Sequence, residues 1–269
     1  MSFKQNISKK LDDGSLPGVD LNHKFNFMCH DDCMGTCCTN ITIQLDPWDV
    51  ELMSRHLNIS GQDFVEEYCD VGFSNEMKWP YVTLKHAAKG PCAFMLEDGR
   101  CEVYPARSRN CRTYPIGRAV RFDEKGNKEE RVFIVEKMSF CLGHNAEDEW
   151  TVEEWFNDSE AQKFYQMSDL YLELINYATT KLNSRVWMSQ QIGQMIMPLL
   201  YGPDMLRKKL SISEEEVGHE EFYHRRLKAV KVILEDIAAN FGFGPQTDVE
   251  AETFAGSVMD RVKEVLLSQ

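Results

Sequence analysis

The chain has 269 residues, enough to bury a core without added staples, and an ordinary globular composition of 43% hydrophobic and 27% charged residues. A surplus of 43 acids over 30 bases gives a net charge of −13, which argues against a general nucleic-acid binder. The opening MSFKQNISKKLDDGSLPG lacks the apolar stretch of a signal peptide, and no run of 18 apolar residues spans a membrane, so a cytoplasmic, reducing location is expected, where clustered cysteines more often bind metal than pair as disulfides.

In chain order, residues 1–24 read as an N-terminal extension. Asp46 before Pro47 is an N-cap followed by a first-turn proline, which predicts a helix over about 47–57. Ser60 with Asp63 predicts a second short helix ending near Tyr68. The stretch CAFMLEDGRCEVY (92–104), with Asp-Gly at its centre, predicts a β-hairpin. A second hairpin, with a longer turn around Gly126, is predicted over 117–136.

Thr151 and Glu154 form a capping box ahead of a helical stretch through WFNDSEAQKFYQMSDLYLELINYATTKL. Another helix near 185–200 ends at Tyr201-Gly202-Pro203. Ser213 predicts the cap of a long helix through Phe241, acidic early and basic later in accord with the helix dipole. GFGPQT (242–247) reads as a linker before a last helix over about 248–267.

The predicted fold is therefore α+β. A small, loop-rich cysteine-cluster domain with two β-hairpins (25–145) packs against a mainly helical C-terminal region (146–269).

All nine cysteines lie between Cys29 and Cys141. CHDDCMGTCC places Cys29, Cys33, Cys37 and Cys38 within ten residues, a density that reduced cysteines buried as small hydrophobes do not explain. A straight helix cannot bring the first four onto one metal. Cys29 and Cys37 would stand about 12 Å apart along its axis, at ~1.5 Å per residue, whereas zinc needs each sulfur within ~2.3 Å. A loop wrapping a metal is the better reading.

In a regular 92–104 hairpin, Leu96 would oppose Cys101, and Cys92 and Cys101 would lie roughly 13 Å apart at ~3.3 Å per strand step. Either that hairpin is distorted into a ligand loop, or its cysteines serve separate centres or a wide cluster. Without Cys69, expected as a buried structural thiol, the remaining eight divide into two four-thiolate sets. Adjacent Cys37 and Cys38 then point to different centres. Zinc, iron–sulfur and copper(I) all suit such soft ligands.

Together, FNFMCHDDCMGTCCTNITIQLDPWDVELM, GPCAFMLEDGRCEVYPARSRNCRTYPIG and CLG resemble the YkgJ-type cysteine-cluster family over roughly residues 25–145. That family carries a zinc- or iron-chelating domain, and flagellin lysine methylases contain a related one. The resemblance implies chelation by Cys29, Cys33, Cys37, Cys38, Cys92, Cys101 and Cys111, with Cys141 as the eighth ligand. Three residues separate Cys33 from Cys37 where many members have two, so the loop geometry stays open.

Arg107, Arg109, Arg112, Arg118 and Arg121 form a basic run with no acid among them. Arg107, Arg109 and Arg112 are candidates to hold a carboxylate such as that of S-adenosylmethionine, or else they offset the charge of nearby thiolates. His30 and His144 could replace a cysteine as ligand. His219 and His224 are expected in solvent. Met188, Met195, Met197 and Met205 mark helical core or a partner groove.

The functional expectation is a metal-binding protein, with iron–sulfur ahead of zinc, serving redox or protein-modifying (methyl-transfer) chemistry. The alternative is a zinc-stapled, non-catalytic module that binds a protein partner through its helices. No membrane or nucleic-acid partner is expected. No nucleophile–base pair and no nucleotide-binding glycine loop appears, so enzymatic activity stays open.

Overall fold

The computed structural model describes residues 3–39, 41–87, 90–123, 125–135, 139–244 and 258–268. Its elements run α1 (Phe3–Asp12), β1 (Lys24–Asn26), β2 (Gln44–Leu45), α2 (Pro47–His56), α3 (Gly61–Tyr68), β3 (Cys69–Ser74), β4 (Trp79–Leu84), α4 (Arg109–Thr113), β5 (Ile116–Phe122), β6 (Lys128–Ile134) and β7 (Glu149–Thr151). From there the chain is helical: α5 (Val152–Asp158), α6 (Ala161–Thr180), α7 (Ser184–Trp187), α8 (Gln190–Tyr201), α9 (Pro203–Leu210), α10 (His219–Asn240) and α11 (Val258–Leu267). The protein is α+β, with small antiparallel sheets and a helical C-terminal region.

Two compact units form from non-contiguous segments. One comprises Met1–Ile43 and His86–Tyr165; the other comprises Gln44–Lys85 and Gln166–Gln269. The first contains the pairs β1–β7 and β5–β6. Its core gathers Phe25, Phe27, Ile116, Cys141, Val152 and Phe156. The second contains the sheet β2-β4-β3 and the helices from α7 onward.

Local signals account for much of this. Asp46 caps α2 in a reciprocal box with Asp49, and Pro47 occupies the first turn. Ser60 caps α3 through the Asp63 amide. Thr151 and Glu154 form the second box, at the start of α5. The β5–β6 hairpin turns through Gly126 at φ +86°, which a residue with a Cβ rarely adopts.

Several expectations need correction. Residues 92–104 are not a regular hairpin. A tight turn at Asp98-Gly99 is flanked by single bridges, Met95 to Cys101 and His86 to Cys92. Leu96 therefore does not face Cys101. The hairpin β3–β4, pairing Cys69 with Leu84 through Ser74 with Trp79, had no counterpart in the expectations.

The stretch after Thr151 is broken between α5 and α6 at Glu160, whose φ is +54°. The Ser213–Glu216 box closes only a turn, and α10 begins after Gly218, a poor continuation for a helix. Helices α1 and α9 were not anticipated. Of the last expected helix, 258–267 is helical, and 248–257 lies outside the described residues. The 245–247 part of the expected linker lies outside them too.

His219 is not in solvent. It stacks on Trp48, with ring centroids 4.7 Å apart, and its Nδ1 lies 2.8 Å from Glu51 Oε1. The other Glu51 oxygen accepts from the fully buried Arg226 Nη2 at 2.7 Å. Burial opposes the charge on Glu51, but Arg226 and His219 outweigh it and hold that carboxyl below its usual range.

Met188 is core, one of the two places expected for it, and Leu200 is core as well. Met195 and Met205 instead line an apolar cavity of about 350 Å³ with Leu206, Ile233 and Met259. Among the described residues no helix is long and apolar enough to cross a membrane.

Candidate metal centre

The cysteine segment begins where β1 ends. Met28 N donates to Gly143 O at 3.2 Å, so Cys29 lies beside the Cys141–His144 stretch. The approach is tight: a Cβ on Gly143 would fall 2.8 Å from Met28 O and 2.7 Å from the Phe27 ring. A short 3₁₀ turn, Asp31–Cys33, follows, with the His30 ring accepting from the Asp32 amide at 3.2 Å. His30 thus serves as a cap. Gly35, at φ +79°, reverses the chain into a second turn, Thr36–Cys38.

This segment is pressed against residues 91–101. Cys92 N donates to Cys38 O at 2.8 Å, and Thr39 bridges Pro91. A Cβ on Gly35 would meet Gly99 Cα at 3.0 Å, and one on Gly99, itself at φ +81°, would meet Met34 O at 2.9 Å. Two backbones this close leave no room for side chains, which explains both glycines. Cys111 is carried by α4, which Arg112 ties back by donating to Pro105 O at 2.6 Å.

The sulfurs lie within electrostatic reach of one another. The Cys37 and Cys38 Sγ atoms are 4.0 Å apart. Burial, then Cys37, Cys141 and Cys33, push the Cys29 thiol up. A hydrogen bond between Cys37 and Cys38 lowers the first and raises the second, and Cys38 also feels Cys111 and Cys92. Burial raises Cys92 and Cys101. These shifts describe free thiols that repel each other as anions, a repulsion that a bound cation would relieve.

Cys141 is buried beside Tyr114. Burial, then that sulfur, raise the Tyr114 hydroxyl, which lies 3.3 Å from His144 Nε2. Phe27 packs edge-on against both rings. His144 is thus engaged with Tyr114, a contact the spacing of Cys141 and His144 did not reveal. Cys69 belongs to the second unit and is 4% exposed, its thiol pushed up to about 12 by burial.

The arginine run separates into distinct roles. Arg118 pairs with Glu130 and Arg121 with Glu129, each at 2.6 Å across the β5–β6 hairpin. The acids missing from the linear run are thus supplied by the opposite strand. Arg112 is buried, bonded to the Pro105 and Ser159 carbonyls and lying over the Phe164 ring. Arg107 stacks on Tyr104 at 3.8 Å and, being positive, partly opposes the upward shift that burial imposes on the neighbouring Cys29 and Cys101 thiols. Arg109 opens α4, beside Cys111.

As placed, no three or more His, Cys, Asp or Glu side chains among the described residues are gathered tightly enough to hold an ion. Chelation would draw the two loops inward. The donor set itself fits a soft or borderline metal, because thiolates supply both charge and polarisable lone pairs.

Residues 28–141 match the family model CxxCxxCC, described as "Putative zinc- or iron-chelating domain". The match supports metal binding. Both gaps, Cys29 to Cys33 and Cys33 to Cys37, hold one residue more than the pattern in the family's label. No solved structure matches the chain.

Proposed function

We propose that the chain chelates metal through Cys29, Cys33, Cys37, Cys38, Cys92, Cys101, Cys111 and Cys141, with an iron–sulfur cluster ahead of zinc. The observation that carries this reading is the seating of the Cys29–Cys38 segment on the 91–101 loop, backbone to backbone at Gly35 and Gly99. It brings sulfurs remote in sequence into one unit.

A bound cluster would supply one-electron chemistry, and a bound zinc would lock the loops. The chain's own residues have separate tasks. Phe27, Tyr114 and His144 pack together beside Cys141, while Arg107 offsets thiolate charge. Redox or protein-modifying chemistry in the cytoplasm is the favoured use.

S-adenosylmethionine would be held by its carboxylate on Arg107, Arg109 or Arg112, all close in sequence to Cys101 and Cys111. Arg112 would have to release a carbonyl to take part.

The second reading is a zinc-stapled module whose helices bind a protein. The Met-lined cavity of the helical unit favours it.

Anaerobic purification followed by metal and acid-labile sulfide analysis separates the two. Brown protein with sulfide supports the cluster. Colourless protein with stoichiometric zinc that unfolds in chelator supports the staple. Protein that holds neither metal, with every thiol alkylated and full thermal stability, overturns both.

A further inference from the structure

We infer that the second unit binds a medium-chain fatty acid. The hydrocarbon lies in the apolar cavity between α8, α9, α10 and α11, and the carboxylate meets Lys209 at its mouth. The inference concerns the second unit alone and stands whether or not the cysteines of the first hold metal.

Helical spacing builds the cavity. Met195 and Leu199 of α8, Met205 and Lys209 of α9, and Ile233 and Ile237 of α10 are pairs four residues apart, so each pair shares one face of its helix. Met259 adds α11, which Arg261 ties to α10 by placing Nη1 2.6 and 2.7 Å from the two Asp236 carboxylate oxygens. Buried Ile196 and Leu206 close the inner end. Met195, 69% exposed, and Met205, 42% exposed, mark the mouth.

The lining selects the ligand. Among the described residues no acid and no aromatic ring lines the cavity, so an organic cation would find neither a carboxylate nor a ring face. A molecule polar along its length would leave its groups unpaired inside. The one charged side chain of the lining is Lys209, which is exposed and makes no ion pair or hydrogen bond among the described residues. A ligand that is hydrocarbon along its length, with a single negative charge at its end, satisfies both features. Methionine side chains, unbranched and polarisable, mould to such a flexible chain.

Size decides between a small molecule and a helix. The cavity holds about 350 Å³. One turn of α-helix, ~5.4 Å long and at least ~10 Å across, fills about 420 Å³. A partner helix could therefore insert side chains but not enter. At about 30 Å³ for each methylene, close to the share of one liquid water, on the order of ten carbons fill the space.

The test uses the full chain, with decanoate below its micelle concentration and decanol as the neutral probe. Calorimetric titration at neutral pH is expected to give one decanoate per chain. From hexanoate to decanoate, each added methylene should tighten binding about two- to fourfold. Lys209→Gln, at an exposed position, should weaken decanoate about two- to fivefold and leave decanol unchanged. In chain labelled at the methionine methyls, decanoate should shift the resonances of Met195, Met205 and Met259 and spare the buried Met53.

No decanoate binding, binding that misses these three methionines, or an unchanged decanoate affinity in Lys209→Gln overturns the inference. So does a helical peptide, or a second copy of the chain at high concentration, that shifts the three methionines where decanoate does not.

Discussion

Cys37 and Cys38, adjacent in sequence, hold their sulfurs 4.0 Å apart, and the hydrogen bond between them makes the two thiols unequal. One S–H shared between the two sulfurs favours a single thiolate on the pair, with Cys37 the lower and Cys38 the higher of the two. In metal-free protein near neutral pH, iodoacetamide is expected to modify Cys37 well before Cys38, because the thiolate is the nucleophile. Cys38→Ala removes the donor and shifts the Cys37 alkylation profile to higher pH. Peptide mapping by mass spectrometry reads both outcomes, and equal rates at the two positions would contradict the asymmetry.

Cys69 provides the internal control. Its thiol is buried in β3 and pushed up to about 12. It is expected to stay unmodified in native protein at pH 8 and to react only on unfolding. Metal loading should protect the other eight and leave Cys69 unchanged.

Gly99 combines a positive φ with a contact that no side chain fits. Gly99→Ala is expected to cost about 1–3 kcal/mol from backbone strain alone. It should also push the two cysteine segments apart and weaken metal uptake. A lowered thermal midpoint together with reduced zinc binding is the expected pair of results. Gly126→Ala is the comparison, since it also has positive φ but open space around it. It should cost stability and spare the metal.

Arg226 is wholly buried against Glu51. Arg226→Met takes the stronger partner from the buried Glu51 carboxylate, leaving His219 beside it, and is expected to cost about 3–5 kcal/mol, read as a lower urea midpoint. The same pair gives a pH dependence. Glu51 titrates lower in the folded state than in the unfolded chain, where its value is near 4.5. Its stabilising contribution is therefore present above pH 4.5 and is lost as pH falls from there through the folded value. In an Arg226→Met background this acid-side loss should shrink, because of the two groups that favour the carboxylate only His219 remains.

Much of the fold was legible locally. The boxes at Asp46 and Thr151 and the cap at Ser60 mark helix starts because a side-chain oxygen satisfies amides that have no partner in the first turn. The same rule failed at Ser213. Its box formed, but Gly218 interrupted the helix behind it, and a cap reports only on one turn. The 92–104 stretch misled in another way. Asp98-Gly99 does make the turn, and its flanks bond across it at Leu96–Arg100 and Phe94–Glu102, but Cys92 is committed to Cys38 and His86, so the pairing does not extend into a regular ladder.

The sequence by itself supplied the candidate donors. All nine cysteines lie between positions 29 and 141, within the stretch that matches the family model, and their number and softness do not depend on how the chain folds. Tertiary structure alone decided which stretches share a unit and which sulfurs are neighbours. It also supplied Glu129 and Glu130 to the arginine run and enclosed His219 with Glu51 and Trp48. The reason is physical: most of these relationships join residues far apart in sequence, and no local propensity or period records which of them meet when the core closes.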